Sequence, residues 1–393
     1  MNNKFNGYLL SNYSSPNIQI VQGEGLYLKD SNGNIYLDFL SGIAVNALGH
    51  SHPSIIEAVS KQVRILDHVS NLYSNNVIEQ LSEKISFISG INGKIFFCNS
   101  GAESIEAAIK LSRLTGRKKV VSLKNSFHGR TMGALSITGQ ESKQKPFKPL
   151  IKNIKFIDSQ KISRISRSVS RKTAAFFIET IQGEGGVINL SKEFIYQARY
   201  VTQKKNSLLV IDEIQTGFGR TGNWFHHQKF DIKPDVICVA KALGGGLPMG
   251  AMIVSEKYSD LFTPGQHGST FGGNPVVAKA ALAVIETIEK ENLLENAKNM
   301  GILFGELMSK NENVKTITGD GLLIGVKLKQ LIAKEVEQEC QKLGLLINAV
   351  KEDTLRIAPP LIVDSQQISR SVEIIEDAID ITLKNHGDKY EIS

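Results

Sequence analysis

Residues 208–222 read LLVIDEIQTGFGRTG, and three different folds could claim them. Four apolar residues running into Asp212 make a short buried strand with a glycine-rich turn behind it. A strand ending in an acid suits a nucleoside triphosphatase, but GxxxxGK[ST] occurs nowhere in the chain, so there is no cradle for a triphosphate. The stretch 217–222, GFGRTG, formally fits GxGxxG. The next residues, NWFHHQKFDIKPD, are too few and too irregular for the helix that should hold a dinucleotide's pyrophosphate, which sets nicotinamide and flavin binding aside.

Working outward, KIFFCNS, KKVVSL, AAFFIET, SLLVIDE and DVICVAK are apolar runs separated by helical patterns. That alternation predicts an α/β domain with a mostly parallel sheet and helices on both faces. Residues 102–115, AESIEAAIKLSRLT, put Ile105, Ala108 and Ile109 on one helical face, with Gly116 as the stop. Near the start, Asn32-Gly33 in GLYLKDSNGNIYLDF is a hairpin signal. After about residue 290, amphipathic helices mix with short strands such as GLLIGVKL and TLRIAPP. The expected division is 1–55 and 291–393 in a smaller α+β domain, with 56–290 as the large domain.

The chain has 393 residues, enough for two lobes. No apolar run approaches the ~18 residues that cross a bilayer, and MNNKFNGYLLSNYSS lacks the pattern of a secretory signal. A cytoplasmic protein with no membrane partner is expected. Cys98, Cys238 and Cys340 are odd in number and far apart, and the histidines, His226 and His227 included, lack HExxH or CxxC context. They suggest buried small residues and no metal site. The net charge is +7, and between Lys143 and Lys172 ten Lys or Arg face a single acid, Asp158. Without aromatic interleaving this reads as a solvated basic surface, with no nucleic-acid partner.

Asp212 closes one strand and Lys241 closes another, twenty-nine residues on, ahead of ALGGG. A carboxylate at the first position can keep a pyridine nitrogen protonated, and an amine desolvated near a cationic ring has the lowered pKa that a Schiff-base lysine needs. The third part is NSGAES, where Asn99, Ser100 and Gly101 lead a strand into a helix whose free N–H groups and dipole favour a dianion. Together the three predict pyridoxal 5′-phosphate as cofactor.

With those residues in place the chain resembles the class III aminotransferases that use pyridoxal phosphate, and within them is most similar to the acetylornithine aminotransferases. The resemblance spans nearly the whole length. It rests on YLDFLSGIAVNALGHSHP, FFCNSGAESIEAAIK, SFHGRTMGALSITGQ, IETIQGEGGV, DEIQTGFGRTG, PDVICVAKALGGGLPMGA, HGSTFGGNP and LRIAPPL. It implies the type I, aspartate-aminotransferase-like fold and Lys241 and Asp212 as catalytic residues. It also implies cofactor contacts from Ser100, Gly101, Ala102, Phe127, Glu213, Ile214, Gln215 and Thr270. Phe127 would stack on the ring, Gln215 would reach the ring hydroxyl, and Thr270 would reach the phosphate of a neighbouring subunit in a homodimer. Arg130 and Ser269 would bind a substrate carboxylate, and Glu184 and Arg356 would form a switchable pair. The implied reaction moves an amine between acetylornithine and 2-oxoglutarate, with another ω-amine donor (ornithine, succinylornithine, succinyl-diaminopimelate or 4-aminobutyrate) as the alternative. Two positions depart from relatives: Thr180 stands where the family usually has proline, which predicts a looser loop, and Gly42 stands where ornithine aminotransferases carry tyrosine, which predicts room for an N-acetyl group.

Overall fold

The computed structural model of the chain describes residues 8–14 and 16–391. Strands β1 (Ile20–Glu24), β2 (Tyr27–Asp30) and β3 (Ile35–Asp38) pair antiparallel. The Asn32-Gly33 turn forms as expected: Asp30 Oδ1 accepts the N–H groups of Asn32 and Asn34, each at 2.9 Å, and Gly33 takes φ 90°.

The large sheet collects β4 (Gly93–Cys98), β5 (Lys119–Leu123), β6 (Ile154–Ile157) and β7 (Thr173–Ile178). After a small ribbon, β8 (Ile181–Gln182) with β9 (Ile188–Asn189), come β10 (Leu208–Asp212), β11 (Val236–Val239) and β12 (Gly250–Ser255). The order is β4-β12-β11-β10-β7-β5-β6. Every pairing is parallel except those of β12, which runs antiparallel to both β11 and β4. All five expected strands are present, and two more were not anticipated. In β6, two of the four residues are intermediate in burial and Lys155 is exposed within the basic stretch, and β12 comes directly after a glycine-rich turn.

Strands β7 and β10 are buried along their whole length, which is why they read as unbroken apolar runs. Alternate side chains part to opposite faces. Ala175, Phe177, Leu208 and Val210 pack with the helix Gly101–Arg113, whereas Phe176, Ile178, Leu209 and Ile211 pack with the helix Lys192–Lys205. The first of these helices ends two residues before the predicted limit, with Gly116 at φ 76° beyond it.

At the C-terminal end, β13 (Val314–Asp320), β14 (Leu323–Leu328), β16 (Asn348–Lys351) and β17 (Thr354–Ile357) form an antiparallel sheet in the order β13-β14-β17-β16. The intervening β15 (Leu345–Leu346) instead joins β3 in parallel, Leu345 opposite Leu37. The two ends of the chain thus share one sheet beside the large one.

Ser41, Gly42, Ile43 and Ala44 all have positive φ, between 48° and 68°, and make a single left-handed turn. Such backbone costs an L-residue roughly 1–2 kcal/mol. Asp38 holds it by accepting the N–H groups of Leu40 and Ser41, and the Ser41 hydroxyl donates to Ala358 O at 2.7 Å. Gly42 therefore has a backbone reason to be glycine, separate from any room it leaves for substrate. The three cysteines are free and buried. Among the described residues no helix is long and apolar enough to cross a membrane.

Candidate active site

Parallel strands leave their C-terminal ends open beneath the loops that leave them, and here β10 and β11 end at a cavity of about 540 Å³. Asp212 is the last residue of β10, and Lys241 lies two residues past β11; both line the cavity. Lys241 is held at φ 47°, a left-handed conformation that an L-residue adopts at a cost and that is concentrated at functional sites. Burial first, and then the nearby Arg356 cation, push its ammonium down to about 8, against the pull of Glu184, Asp212 and Glu179.

Asp212 is almost completely buried, 4% exposed, and both its oxygens are engaged. Oδ1 accepts the Ile214 N–H at 3.0 Å, and Oδ2 lies 2.7 Å from His128 Nδ1. Opposite, Ser100 caps the helix Gly101–Arg113 by accepting the Glu103 N–H at 3.2 Å. The Gly101 and Ala102 N–H groups belong to the first turn, which has no intrahelical acceptor. A Cβ on Gly101 would come within 2.7 Å of Ile214 Cδ1, so any other residue here would have to push that side chain aside.

Phe127, Arg130, Ile214, Gln215 and Glu184 line the same cavity. The Arg130 guanidinium stands 5.6 Å from the centre of the Phe127 ring. Ser269 is not among the cavity-lining residues; its hydroxyl accepts from Asn99 Nδ2, on the cavity wall, at 3.0 Å. Arg356, on β17, lies behind Glu184: it is 1% exposed, is not among the cavity-lining side chains, and donates from Nη1 to Glu184 Oε1. Its Nε donates to Asn348 Oδ1 at 3.1 Å, and Gln215 Oε1 is 3.5 Å from Nη1. Burial alone would raise the Glu184 carboxyl; Arg356, with smaller help from Lys241 and Lys143, holds it below its ordinary range.

Two of the expected cofactor contacts are not brought to this cavity either. Glu213 turns to the other side of the chain, where its carboxylate takes the N–H groups of His226 and His227 and the Thr216 hydroxyl. That buried carboxylate organises the turn after β10, and its side chain is not part of the cavity wall. Thr270 is exposed and does not line the cavity of its own chain. At Thr180, where the family's proline is missing, the hydroxyl meets His226 Nδ1 at 2.9 Å, and His226 Nε2 meets Asp320 at 3.1 Å, so side-chain hydrogen bonds tie this loop to its neighbours.

Two cavity residues were missed. His128 stands next to Phe127 in a stretch already singled out, but its partner Asp212 is 84 residues away. Glu179 accepts the Phe127 N–H at 2.8 Å and is buried; desolvation first, and then the Asp212 charge, push its carboxyl well above its ordinary range. Nothing in IETIQGEGG marks Glu179 as facing Asp212.

One cavity lined by the free amides of a helix start, a carboxylate fixed by a histidine and a lysine of lowered pKa defines a pyridoxal-phosphate-dependent transferase of the type I fold. The chain is similar over residues 9–379 to the family described as aminotransferase class-III. It is 43% identical to the acetylornithine aminotransferase of Streptomyces coelicolor, over 98% of this chain and 97% of that one. It is also 43% identical to that of Aquifex aeolicus, over 95% of this chain and all of the other. Among solved structures, the ornithine aminotransferase of Toxoplasma gondii matches with a TM-score of 0.91 at 29% identity, over 97% of this chain and 94% of that one. The acetylornithine aminotransferase of Elizabethkingia anophelis matches at 0.84 and 32%, over 95% and 96%. The chain belongs to the class III aminotransferases, and its cofactor is pyridoxal 5′-phosphate.

Proposed function

We propose that the chain transfers the terminal amine of N2-acetyl-L-ornithine to 2-oxoglutarate, giving N-acetyl-L-glutamate 5-semialdehyde and L-glutamate, as a cytoplasmic homodimer in arginine biosynthesis. The relatives named for that reaction support the donor, at 43% identity over nearly the full length. The observation that carries the reading is the carboxylate of Glu184 standing between the cavity and the buried guanidinium of Arg356.

Pyridoxal phosphate, when bound, supplies an aldehyde that condenses with amines and a cationic ring that accepts an electron pair. Ser100, Gly101 and Ala102 would hold its phosphate at the helix N-terminus. Asp212 would keep the ring nitrogen protonated, and His128 holds Asp212 in place. Phe127 and Ile214, both on the cavity wall, would pack against the ring, and Gln215 would meet its hydroxyl. Lys241 would be the residue that holds the cofactor's aldehyde, and its Nζ would move the proton at the reacting carbon; an amine near 8 is unprotonated often enough at neutral pH to act as that base.

The two substrates impose opposite demands. Acetylornithine brings a terminal carbon without a carboxylate, whereas 2-oxoglutarate brings a keto group bonded to one. Glu184 masks Arg356 for the first and moves aside for the second, so that neither state leaves a buried guanidinium unpaired. Arg130 and Ser269 take the distal carboxylate. Thr270 would serve the partner subunit's cofactor. It lies on a segment bound by Asn71 Nδ2 through the carbonyls of Ser269 and Gly272, and the neighbouring Leu72, Tyr73 and Phe271 are exposed, as a self-association surface requires.

Single-turnover absorbance changes with acetylornithine, ornithine, 4-aminobutyrate or glutamate as the only donor test this. Acetylornithine should exceed the other two ω-amines; a faster ornithine or 4-aminobutyrate reaction removes the donor assignment. In Glu184→Ala the acetylornithine rate should fall by roughly tenfold, ~1.4 kcal/mol, while the glutamate rate holds. Equal losses with both donors would reduce Glu184 to a structural residue.

A further inference from the structure

At the end of the large sheet opposite the active site, where β5, β6 and β7 begin, lies a second cavity of about 650 Å³. Six of its lining residues are cations, Arg117, Lys118, Lys119, Lys155, Arg171 and Lys172, and none is a carboxylate. Among the described residues none of the six takes part in an ion pair. Asp235, at the start of β11, is three strands from β5, roughly 14 Å at the usual strand spacing, and is taken by Arg199 at 3.0 Å.

The ordinary use of such charges is to neutralise helix C-termini, and part of this cluster does so. Arg117 donates to Asn206 O at the end of the helix Lys192–Lys205, and Lys119 donates to Ser168 O at the end of the helix Ser163–Ser168. The helix Gly101–Arg113 ends nearby as well. Three helix ends carry roughly −0.5 each, about −1.5 together, against six positive charges, so more than four remain uncompensated. Lys118, Lys155, Arg171 and Lys172 are exposed at the cavity. Burial, and then Lys155, push the Lys119 ammonium down, the response of a cation crowded by another.

The shape decides among anions. A nucleic-acid groove tracks an extended backbone and offers aromatic rings for stacking; this site is concave and has no aromatic lining residue. Linked phosphates place several charges within one such cavity, and Arg117 and Arg171 can each grip phosphate oxygens bidentately. We propose that this cavity binds a compact polyanion of three linked phosphates, either free tripolyphosphate or the triphosphate tail of a nucleotide, at a site remote from the reaction centre.

Calorimetry on the cofactor-loaded protein, whose active-site phosphate position is filled, tests it with tripolyphosphate, ATP and adenosine. Tripolyphosphate and ATP should bind with affinities within about threefold of each other, which makes the phosphates the shared determinant, and adenosine should not bind. Lys155→Glu with Arg171→Glu should weaken both by at least tenfold while turnover without ligand is unchanged. Lys161→Glu with Arg164→Glu, exposed cations of the same basic segment outside the cavity, should stay within twofold. Should the first pair fail to fold, Lys155→Ala carries the test with a loss of about threefold. No binding at millimolar tripolyphosphate, binding of ATP alone, equal losses in both charge-reversal pairs, or tighter binding of a single-stranded RNA oligonucleotide would each overturn the site.

Discussion

Two arginines, Arg220 and Arg356, are buried to 1% exposure where the loops after β10 meet the C-terminal sheet, and they are partnered in opposite ways. Arg220, in the glycine-rich GFGRTG turn, donates from Nη1 to the main-chain oxygens of Leu322, at 3.2 Å, and Pro359. Among the described residues no carboxylate pairs with it; burial pushes it down to about 9, with Asp38 pulling it back, and it remains charged at neutral pH. Arg356 faces a carboxylate that itself opens to the cavity. A guanidinium tied to main-chain oxygens has nowhere to go and clamps two parts of the fold. One tied to a mobile side chain at a cavity wall can be uncovered. The same residue type, equally buried, becomes a fastener or a receptor according to what accepts its hydrogen bonds.

Removing each arginine should break the molecule differently. Arg356→Gln should cut kcat/KM for 2-oxoglutarate by about two to three orders of magnitude, ~3–4 kcal/mol, as expected when one partner of a buried charged contact is truncated. Acetylornithine turnover in the first half-reaction should change far less, because Glu184 keeps 28% of its side chain accessible and is not stranded. Steady-state kinetics with 2-oxoglutarate varied would decide it, and an unchanged KM would put Arg356 with Arg220 among the fasteners.

Arg220→Met should act on stability. The Leu322 and Pro359 carbonyls lose their donor, at about 1–3 kcal/mol for each buried group left unpaired, offset in part by no longer burying a charge. A melting temperature lower by several degrees, with kcat within about threefold of the parent, is the expected pattern. An intact melting temperature with impaired use of 2-oxoglutarate would mean that Arg220 contacts substrate and that the contrast is false.

The smallest expected effect separates the two most sharply. Only the neutral amine of Lys241 captures the cofactor, so the rate at which cofactor-free protein becomes yellow should rise with pH through about 8 and level off above it. The Arg356 cation is one cause of that low value, so Arg356→Gln should move the midpoint upward. Arg220→Met should leave it in place. Stopped-flow absorbance across pH 6.5 to 10 reads both; an unmoved midpoint in Arg356→Gln would show that burial alone sets the lysine.

Asp212, Lys241 and the Ser100 cap were legible because each is announced within a few residues: an apolar run that must be a buried strand, the residue that closes it, and a hydroxyl three positions before the N–H it caps. The hairpin at Asn32-Gly33 and the helix from Gly101 were legible for the same reason, since their hydrogen bonds are local. Glu184 and Arg356 were paired only through likeness to relatives, because their contact spans 172 residues. Tertiary structure alone decided that His128 would meet Asp212, that Glu179 would be buried beside that charge, and that Glu213 would turn away from the cavity. It also decided that β12 would enter the sheet antiparallel, and that cations from the starts of three strands would surround one cavity. Side-chain period and capping are settled by neighbours along the chain, whereas these contacts depend on which strands lie adjacent, and that order is set by packing the whole core.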